Sequence, residues 1–233
     1  MIKSVLTVNG LEIDVVRKNI KNIHLAVYPP EARVRISAPL AYDEETIKLF
    51  AVSKWGWIKD NIAIVQKQKR IAPKEYISGE SHYLFGKRYR FKFIESNKSS
   101  VEIKGVNYIV MTAKASTSRD TKQRLMDKWY RKQLKTKLMK MLPKWEEKTG
   151  LSTSGWTIKK MKTKWGTCNP KNKTLVFNSE LAKYSTKNIE YIILHELSHL
   201  IEHTHNRNFI AHIEKHMPNW QSCRNDLNKV TFE

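Results

Sequence analysis

The chain has few of the features that mark secreted or membrane-spanning proteins. Only two of its 233 residues are cysteines, Cys168 and Cys223, which do not make a disulfide framework. No apolar run approaches the ~18 residues that a membrane-spanning helix needs, and the N-terminus, MIKSVLTVNG, has no apolar signal core. These absences argue against a disulfide-stapled secreted domain and against a membrane role, and they favour a cytoplasmic address.

Acidic residues are also scarce. The 22 aspartates and glutamates are outnumbered by 43 lysines and arginines, which leaves a net charge of +21. A field of that sign attracts polyanions such as nucleic acid. Residues 119–164 carry much of the excess, with 15 basic and 4 acidic residues. We therefore expect either a DNA-binding surface along residues 119–164 or, as the alternative, the solvated outer face of an amphipathic helix.

Alternating apolar residues predict β-hairpins over the first 40 residues. Two alternating segments flank Asn9-Gly10, which is a strong signal for a two-residue hairpin turn. A second pair of strands, between Ile23 and Ile36, is predicted to turn at Pro29-Pro30-Glu31.

A helix and a connector follow before strands return. Asp43 suits the N-cap of one helix that runs through to Ile58. The basic stretch QKQKRIAPK, residues 66–74, is typical of a connector. Two further strand regions are predicted at 83–93 and 101–111, the second with a turn at Gly105.

From about Arg119 the apolar pattern becomes helical. A short strand region at 161–177 and two further helices are predicted beyond the first long helix. The fold class is therefore α+β, with a β-rich N-terminal half, a helical C-terminal half and no sequence repeat. We expect two regions, a β-rich 1–118 and a 119–233 that holds the basic helix. The apolar residues that recur every four positions, the spacing of one helix face, are Met126, Tyr130, Leu134, Leu138 and Leu142.

Residues 186–203, TKNIEYIILHELSHLIEH, predict a helix with a metal-binding pattern. His195 and His199 are four residues apart, so both imidazoles leave one face and can reach one ion at ~2.0–2.1 Å. Glu196 can take a proton from a water that the metal activates without itself being a ligand. The pattern H-E-x-x-H also arises by chance on surface helices, but here it lies in an apolar segment whose polar groups need partners.

The third metal ligand must come from the residues that follow this pattern. In an unbroken helix His203 lies about 12 Å along the axis from His195, at 1.5 Å per residue, while two ligands of one zinc lie within ~4 Å of each other. His205 is favoured, because the chain can leave the helix just before it and Asn206 can cap a new helix. The alternatives to His205 are His212 and Glu214.

A small-residue segment upstream predicts a substrate-binding edge. Gly166 and Thr167 precede a turn at Asn169-Pro170, and a glycine in an edge strand lets a second backbone approach closely. We expect Trp165, Gly166 and Thr167 to bind substrate, although Trp165 also suits the core of a structural hairpin. Cys168 is interpreted as a structural thiol, because a fourth protein ligand would close the position that catalysis needs.

These residues together resemble a known family. The run W-G-T-C, then F-N-S-E-L, then HELSHL and the residues up to Trp220 are similar to the YgjP-like metallopeptidases, small zincins related to the SprT, Spartan and WLM groups. The resemblance implies a zinc site at His195, His199 and His205 with Glu196 as the base. It is dense from residue 164 to 220 and weaker in the N-terminal hairpins. This chain has Lys164 where family members often have arginine.

The sequence thus predicts a zinc-dependent metallopeptidase that hydrolyses peptide bonds, built on a minimal zincin of an H-E-x-x-H helix and an edge-strand hairpin. An action on nucleic-acid-associated proteins is a further expectation, from the charge and from analogy with the SprT group. The alternative is a basic nucleic-acid-binding module with a structural metal. Glu196 separates the two, because a structural site has no use for that carboxylate and normally has four protein ligands. A metal-dependent hydrolase of non-peptide substrates is a third reading.

Overall fold

The computed structural model describes residues 2–28, 31–67 and 74–228. The chain folds as two compact units, Met1–Ala72 and Pro73–Phe232. Two predicted features fall mostly outside the described residues: most of the turn at Pro29-Pro30-Glu31 and most of the connector at 66–74.

The first unit begins with a four-stranded sheet whose strand order is β1-β2-β4-β3, with the central strands β2 and β4 parallel. Asn9 and Gly10 have φ values of 49° and 79°, so the hairpin turn predicted between the first two strands is confirmed. Alternate residues of the sheet are buried, as a sheet with one covered face requires. The strands are β1 (Ile2–Val8), β2 (Leu11–Lys18), β3 (His24–Tyr28) and β4 (Arg33–Pro39).

Two helices complete this unit, α1 (Glu44–Ser53) and α2 (Trp55–Lys67). Asp43 is the N-cap, as predicted, and its carboxylate accepts a hydrogen bond from the Thr46 N–H at 2.8 Å. The prediction of one continuous helix is wrong, because the regular helix breaks at Lys54 (φ −102°, ψ 12°). The Lys54 N–H is shared between the carbonyls of Phe50 and Ala51.

The second unit opens with a sheet of the same topology as the first. Its strand order is β5-β6-β8-β7, again with two antiparallel hairpins joined through parallel central strands. The architecture therefore repeats although no repeat is evident in the sequence. The predicted turn at Gly105 (φ 60°) is confirmed. The strands are β5 (Ser81–Leu84), β6 (Lys87–Glu95), β7 (Ser100–Lys104) and β8 (Tyr108–Ala113).

A 31-residue helix, α3 (Arg119–Thr149), follows this sheet. Ser118 caps its start, and Gly150 ends it in the left-handed conformation at φ 71°. All five residues of the predicted apolar stripe are buried. The buried residues of β5, β6 and β8 belong to the same core as α3, so this sheet and α3 lie in one compact unit.

A small three-stranded sheet and three helices form the rest of the unit. In this sheet β11 is central, β9 pairs with it in parallel and β10 antiparallel. The mixed α+β class predicted from the sequence is confirmed, but only two of the three helices that follow this sheet were predicted. None of the described helices is long and apolar enough to cross a membrane. The elements are β9 (Gly155–Lys159), β10 (Gly166–Asn169), β11 (Thr174–Asn178), a 3-10 turn (Ser179–Lys183), α4 (Thr186–Ser198), α5 (Arg207–His216) and α6 (Trp220–Asn228).

Two adjacent residues of α3 test whether its buried face holds the second unit together. Leu138 is fully buried and Met139 is 61% exposed. We expect Leu138→Ala to lower the free energy of unfolding by about 2–5 kcal/mol, from lost burial and the cavity left behind. Met139→Ala should change it by less than about 0.5 kcal/mol. Urea denaturation followed by circular dichroism measures both, and equal effects would contradict this account of the core.

Candidate metal centre

Helix α4 carries the first two histidines of the predicted site. Ser185 caps it by accepting a hydrogen bond from the Asn188 N–H at 3.3 Å. The helix is shorter than the predicted 186–203, since it ends at Ser198 and continues only as turns. His199 keeps helical backbone angles (φ −68°, ψ −10°), so its side chain still leaves the same face as that of His195.

The chain then reverses and brings a third histidine back to this face. Asn206 caps α5, as predicted, with its side-chain oxygen accepting from the Phe209 N–H at 3.1 Å. Because Asn206 is the N-cap of α5, His205 lies directly before this helix. The Nε2 atoms of His205 and His195 lie 3.1 Å apart.

The three imidazoles converge closely enough to share an ion. One nitrogen from each of His195, His199 and His205 lies within 4.8 Å of the others. Two nitrogens bound to one zinc at ~2.0–2.1 Å are at most ~4 Å apart, so a small contraction would suffice. The Phe209 ring lies behind the cluster, with its centroid 4.7–5.0 Å from all three imidazole centroids.

The other candidate ligands lie elsewhere. No metal-binding group within residues 2–28, 31–67 and 74–228 includes His203, His212 or Glu214. His203 lines the cleft beside the cluster. The His212 Nδ1 pairs instead with the Ser198 hydroxyl at 3.0 Å, and Glu214 is exposed on α5.

The electrostatics of the cluster suit neutral, metal-binding imidazoles. Burial lowers the pKa of His195 to about 3, with further contributions from His199 and His205. Burial also lowers the pKa of His199, and its Nδ1–H donates to the Glu202 carbonyl at 3.0 Å. This hydrogen bond leaves the His199 Nε2 lone pair free for an ion, the usual arrangement of a metal-binding histidine. The residues therefore fit a divalent metal of the zinc type.

Glu196 is buried beside these histidines and packed against a glycine. Its side chain is 3% exposed, and burial raises its pKa to about 8, which the charge of Lys164 partly opposes. A Cβ added at Gly166 would lie 2.7 Å from both Cγ and Cδ of Glu196, and closer still to Oε1. Only glycine allows strand β10 to lie this close to the carboxyl group.

Strand β10 forms one wall of a cleft of about 700 Å³ at the cluster. Within the described part of the chain β10 pairs only with β11, so it is an edge strand. The predicted substrate residues Trp165, Gly166 and Thr167 all line this cleft, as does Cys168. Trp165 also packs edge-on against Tyr184, with the ring centroids 4.6 Å apart.

Cys168 is not part of the histidine group. Burial, with a contribution from the charge of Glu196, raises the pKa of its thiol to about 11. A thiol with that pKa stays protonated near neutral pH, which argues against a role as a nucleophile.

Asn178 positions the start of β10, although it was not among the predicted site residues. Its fully buried side chain donates to the carbonyls of Met161 and Lys164 at 2.8 Å each and accepts from the N–H groups of Met161 and Glu180. This ties the loop before β10 to the end of β11. In the sequence, the feature that could have pointed to Asn178 is its position as a single amide residue directly after the apolar strand Leu175-Val176-Phe177.

Helix α6 also lines the cleft. Arg224, Leu227 and Asn228 line it and were all missed, because α6 itself was not predicted. Trp220, Cys223 and Leu227 are spaced three and four residues apart, as on one face of a helix, and this spacing could have predicted α6.

Comparison with solved structures finds distant metallopeptidases. The metallopeptidase zymogen of Pyrococcus abyssi abylysin is 20% identical, with 39% of this chain and 90% of that chain covered and a TM-score of 0.36. That of Methanocaldococcus jannaschii jannalysin is 21% identical, with 40% and 94% covered and the same TM-score. These likenesses are too remote to assign residues in this chain.

Comparison with curated proteins finds no match. The family model for the YgjP-like metallopeptidase domain, in contrast, matches residues 21–230. Because that match spans most of the sequence, the chain belongs to the YgjP-like metallopeptidase family.

Proposed function

We propose that this metallopeptidase uses zinc held by His195, His199 and His205, with Glu196 as the general base. One observation carries the proposal: three imidazoles and one buried carboxyl group meet at an edge strand in a single cleft. The minimal zincin expected from the sequence, an H-E-x-x-H helix with an edge-strand hairpin, is part of this proposal. A cytoplasmic address remains part of the proposal.

A zinc ion in this position supplies a Lewis acid, which lowers the pKa of a water molecule to near 7 and polarises a carbonyl group. The Glu196 carboxyl group ionises more readily beside a divalent cation, because opposite charge offsets the cost of its burial. It can then accept the proton of the attacking water and pass it to the leaving amine. Because Gly166 has no side chain, the Glu196 carboxyl group can lie directly against β10.

The substrate backbone is proposed to add to β10 as a further strand. The free edge of β10 offers backbone hydrogen-bonding groups along Gly166–Asn169, beside the histidines. Trp165 and Thr167 would flank the extended peptide there. An extended peptide bound in this way would place one of its carbonyl groups beside the histidine cluster.

A purely structural metal fits the site less well. Structural zinc sites usually have four protein ligands, whereas the group found in the described residues has three. A buried carboxyl group beside such an ion would have no purpose. Hydrolysis of a non-peptide substrate would use the same residues and is distinguished only by substrate trials.

The proposal extends to substrates associated with nucleic acid. Four basic residues of α3 form a basic stripe, defined as Arg124, Lys128, Lys132 and Lys135. All four are exposed, and the 3.6-residue period of the helix places them on one side of it. Within the described residues, none of the four forms a salt bridge. Asp127, which lies among them, is paired with Lys160 at 2.9 Å. The stripe therefore keeps its charge available to a phosphate backbone.

We expect Glu196→Gln to abolish hydrolysis while zinc content and fold survive, because an amide keeps the shape but cannot accept the proton. The rate should fall by at least ~10²-fold. Peptide cleavage and metal analysis of the purified variant measure the two effects. Glu190→Gln, which removes a carboxyl group from the same helix outside the cleft, should keep full activity. Near-normal activity of zinc-loaded Glu196→Gln would end the proposed mechanism.

His205→Ala should lose zinc, while His203→Ala and Glu214→Ala should retain it. The reason is that only His205 brings its Nε2 to the two helix histidines. Metal analysis after dialysis measures the zinc content, and thermal melting of each zinc-free variant checks that it remains folded. A His205→Ala variant that holds one equivalent of zinc would refute the ligand assignment.

DNA binding should be strong at low salt and steeply salt-sensitive. If about six phosphates are neutralised, affinity should fall by about 10³-fold or more between 50 and 200 mM salt. Replacing the four residues of the basic stripe by glutamine should flatten this slope, as measured by fluorescence anisotropy. The matched control replaces four exposed lysines of the first unit, Lys3, Lys21, Lys48 and Lys59. Equal losses in both variants would mean that the stripe is only a solvated face.

A further inference from the structure

Two cationic side chains line the cleft that holds the histidine cluster. Lys164 lies on the loop before β10, and Arg224 lies on α6. The one acidic side chain among the described lining residues is Glu196, which is buried against Gly166. A substrate that enters the cleft therefore meets two cationic side chains and no exposed carboxylate.

Arg224 is the cation held beside the H-E-x-x-H helix. Its guanidinium carbon lies 5.7 Å from the centroid of the Trp220 ring, and the Trp220 ring stacks on Tyr191 with centroids 6.0 Å apart. Tyr191 in turn packs edge-on against His195. This layering holds the guanidinium near the cluster, close enough that its charge contributes to the lowered pKa of His195.

The guanidinium forms no salt bridge within the described part of the chain, although it is exposed. Arginine presents five N–H donors in a planar fork that matches a carboxylate with two parallel hydrogen bonds. The Arg224 guanidinium lies over the Trp220 ring, and among the described residues no salt bridge engages its N–H groups. These groups can donate to a ligand that enters the cleft.

The wall around Arg224 is apolar at its base. Ile192 on α4 and Leu227 on α6 are both almost fully buried and line the cleft, and Asn228 adds a polar side chain near the rim. A ligand group that fits here has an apolar stem and a polar, negatively charged end. Acidic amino acids have this form, and so does the C-terminal residue of a peptide.

We propose that Arg224 makes this enzyme selective for a substrate residue that carries a carboxylate, bound beside Arg224 in this cleft. The inference rests on the proposed peptidase function and names a substrate class for the same cleft. The carboxylate is either the side chain of an aspartate or glutamate or the free C-terminus of the substrate. Arg224 acts by holding the substrate, not by taking part in bond cleavage.

The test measures binding separately from cleavage. Zinc-loaded Glu196→Gln protein is titrated into fluorescein-labelled peptides with amidated C-termini, in which one glutamate is moved through a neutral sequence and compared with glutamine at each place. At one place the glutamate peptide should bind about 10–100-fold more tightly, the range for hydrogen bonds to a charged group. A neutral peptide with a free C-terminus, compared with its amide, tests the second source of the carboxylate.

Variants of Arg224 assign this preference to one side chain. In the same background, Arg224→Gln should abolish it, Arg224→Lys should retain part of it, and Arg224→Glu should reverse it in favour of a lysine peptide. Arg88→Glu, which changes the charge equally on the exposed face of β6, should leave the preference intact. Partial rescue by lysine and unchanged zinc content show that a loss in Arg224→Gln is not a loss of fold.

Several outcomes would overturn the inference. It fails if no carboxylate peptide is preferred, if Arg224→Gln keeps the preference, or if Arg88→Glu removes it as well, since a general field would then be the cause. It also fails if Arg224→Gln in otherwise wild-type enzyme lowers kcat for a neutral peptide, because Arg224 would then act on the reacting atoms. A clear binding preference in a protein that cleaves no peptide would instead refute the proposed function and leave this inference standing.

Discussion

The contact between Gly166 and Glu196 is the constraint on which the candidate site depends. It joins the edge strand to the H-E-x-x-H helix with no space for a side chain between them. Because Glu196 follows His195 directly, the contact also sets the distance from β10 to the histidine cluster. Asn178 holds the loop that delivers β10 to this position, through four hydrogen bonds made by one buried amide. The proposed substrate edge and the proposed base are therefore positioned by the same contact.

Burial at this contact favours the neutral form of both kinds of side chain, but the consequences for function are opposite. It favours the neutral form of His195, which an ion can bind, and it also favours the neutral form of Glu196, which cannot act as a base. A divalent cation held by the imidazoles would remove this conflict, because its charge would stabilise the Glu196 carboxylate and neutral imidazoles would bind it. The site is thus suited to an ion in a way that three histidines or a glutamate alone would not be.

Local signals in the sequence predicted much of the fold and most of the candidate site. Caps such as Asp43 and Asn206 and the four-residue spacing on α3 depend on residues close in the chain, so they can be identified before any tertiary contact is known. The convergence of His205 with His195 was also accessible, since rise per residue alone argued against His203. The features that were missed depend on tertiary contacts. Asn178 acts on a loop 14–17 residues upstream, and Arg224 reaches the cleft only because α6 packs on α4.

The second sheet, β5 to β8, also bears on the candidate site itself. The tip of the β5–β6 hairpin lies against the start of α4: the Phe85 N–H donates to the Ala182 carbonyl at 2.8 Å, and a Cβ at Gly86 would lie 3.1 Å from the Ser185 Cα. Ser185 is the N-cap of the helix that carries His195 and Glu196. The second sheet thus supports the candidate site from the end opposite the histidines. This sheet has the same topology as the first sheet but lies in the compact unit that holds the candidate site. The apolar periodicity of the sequence could not reveal this membership.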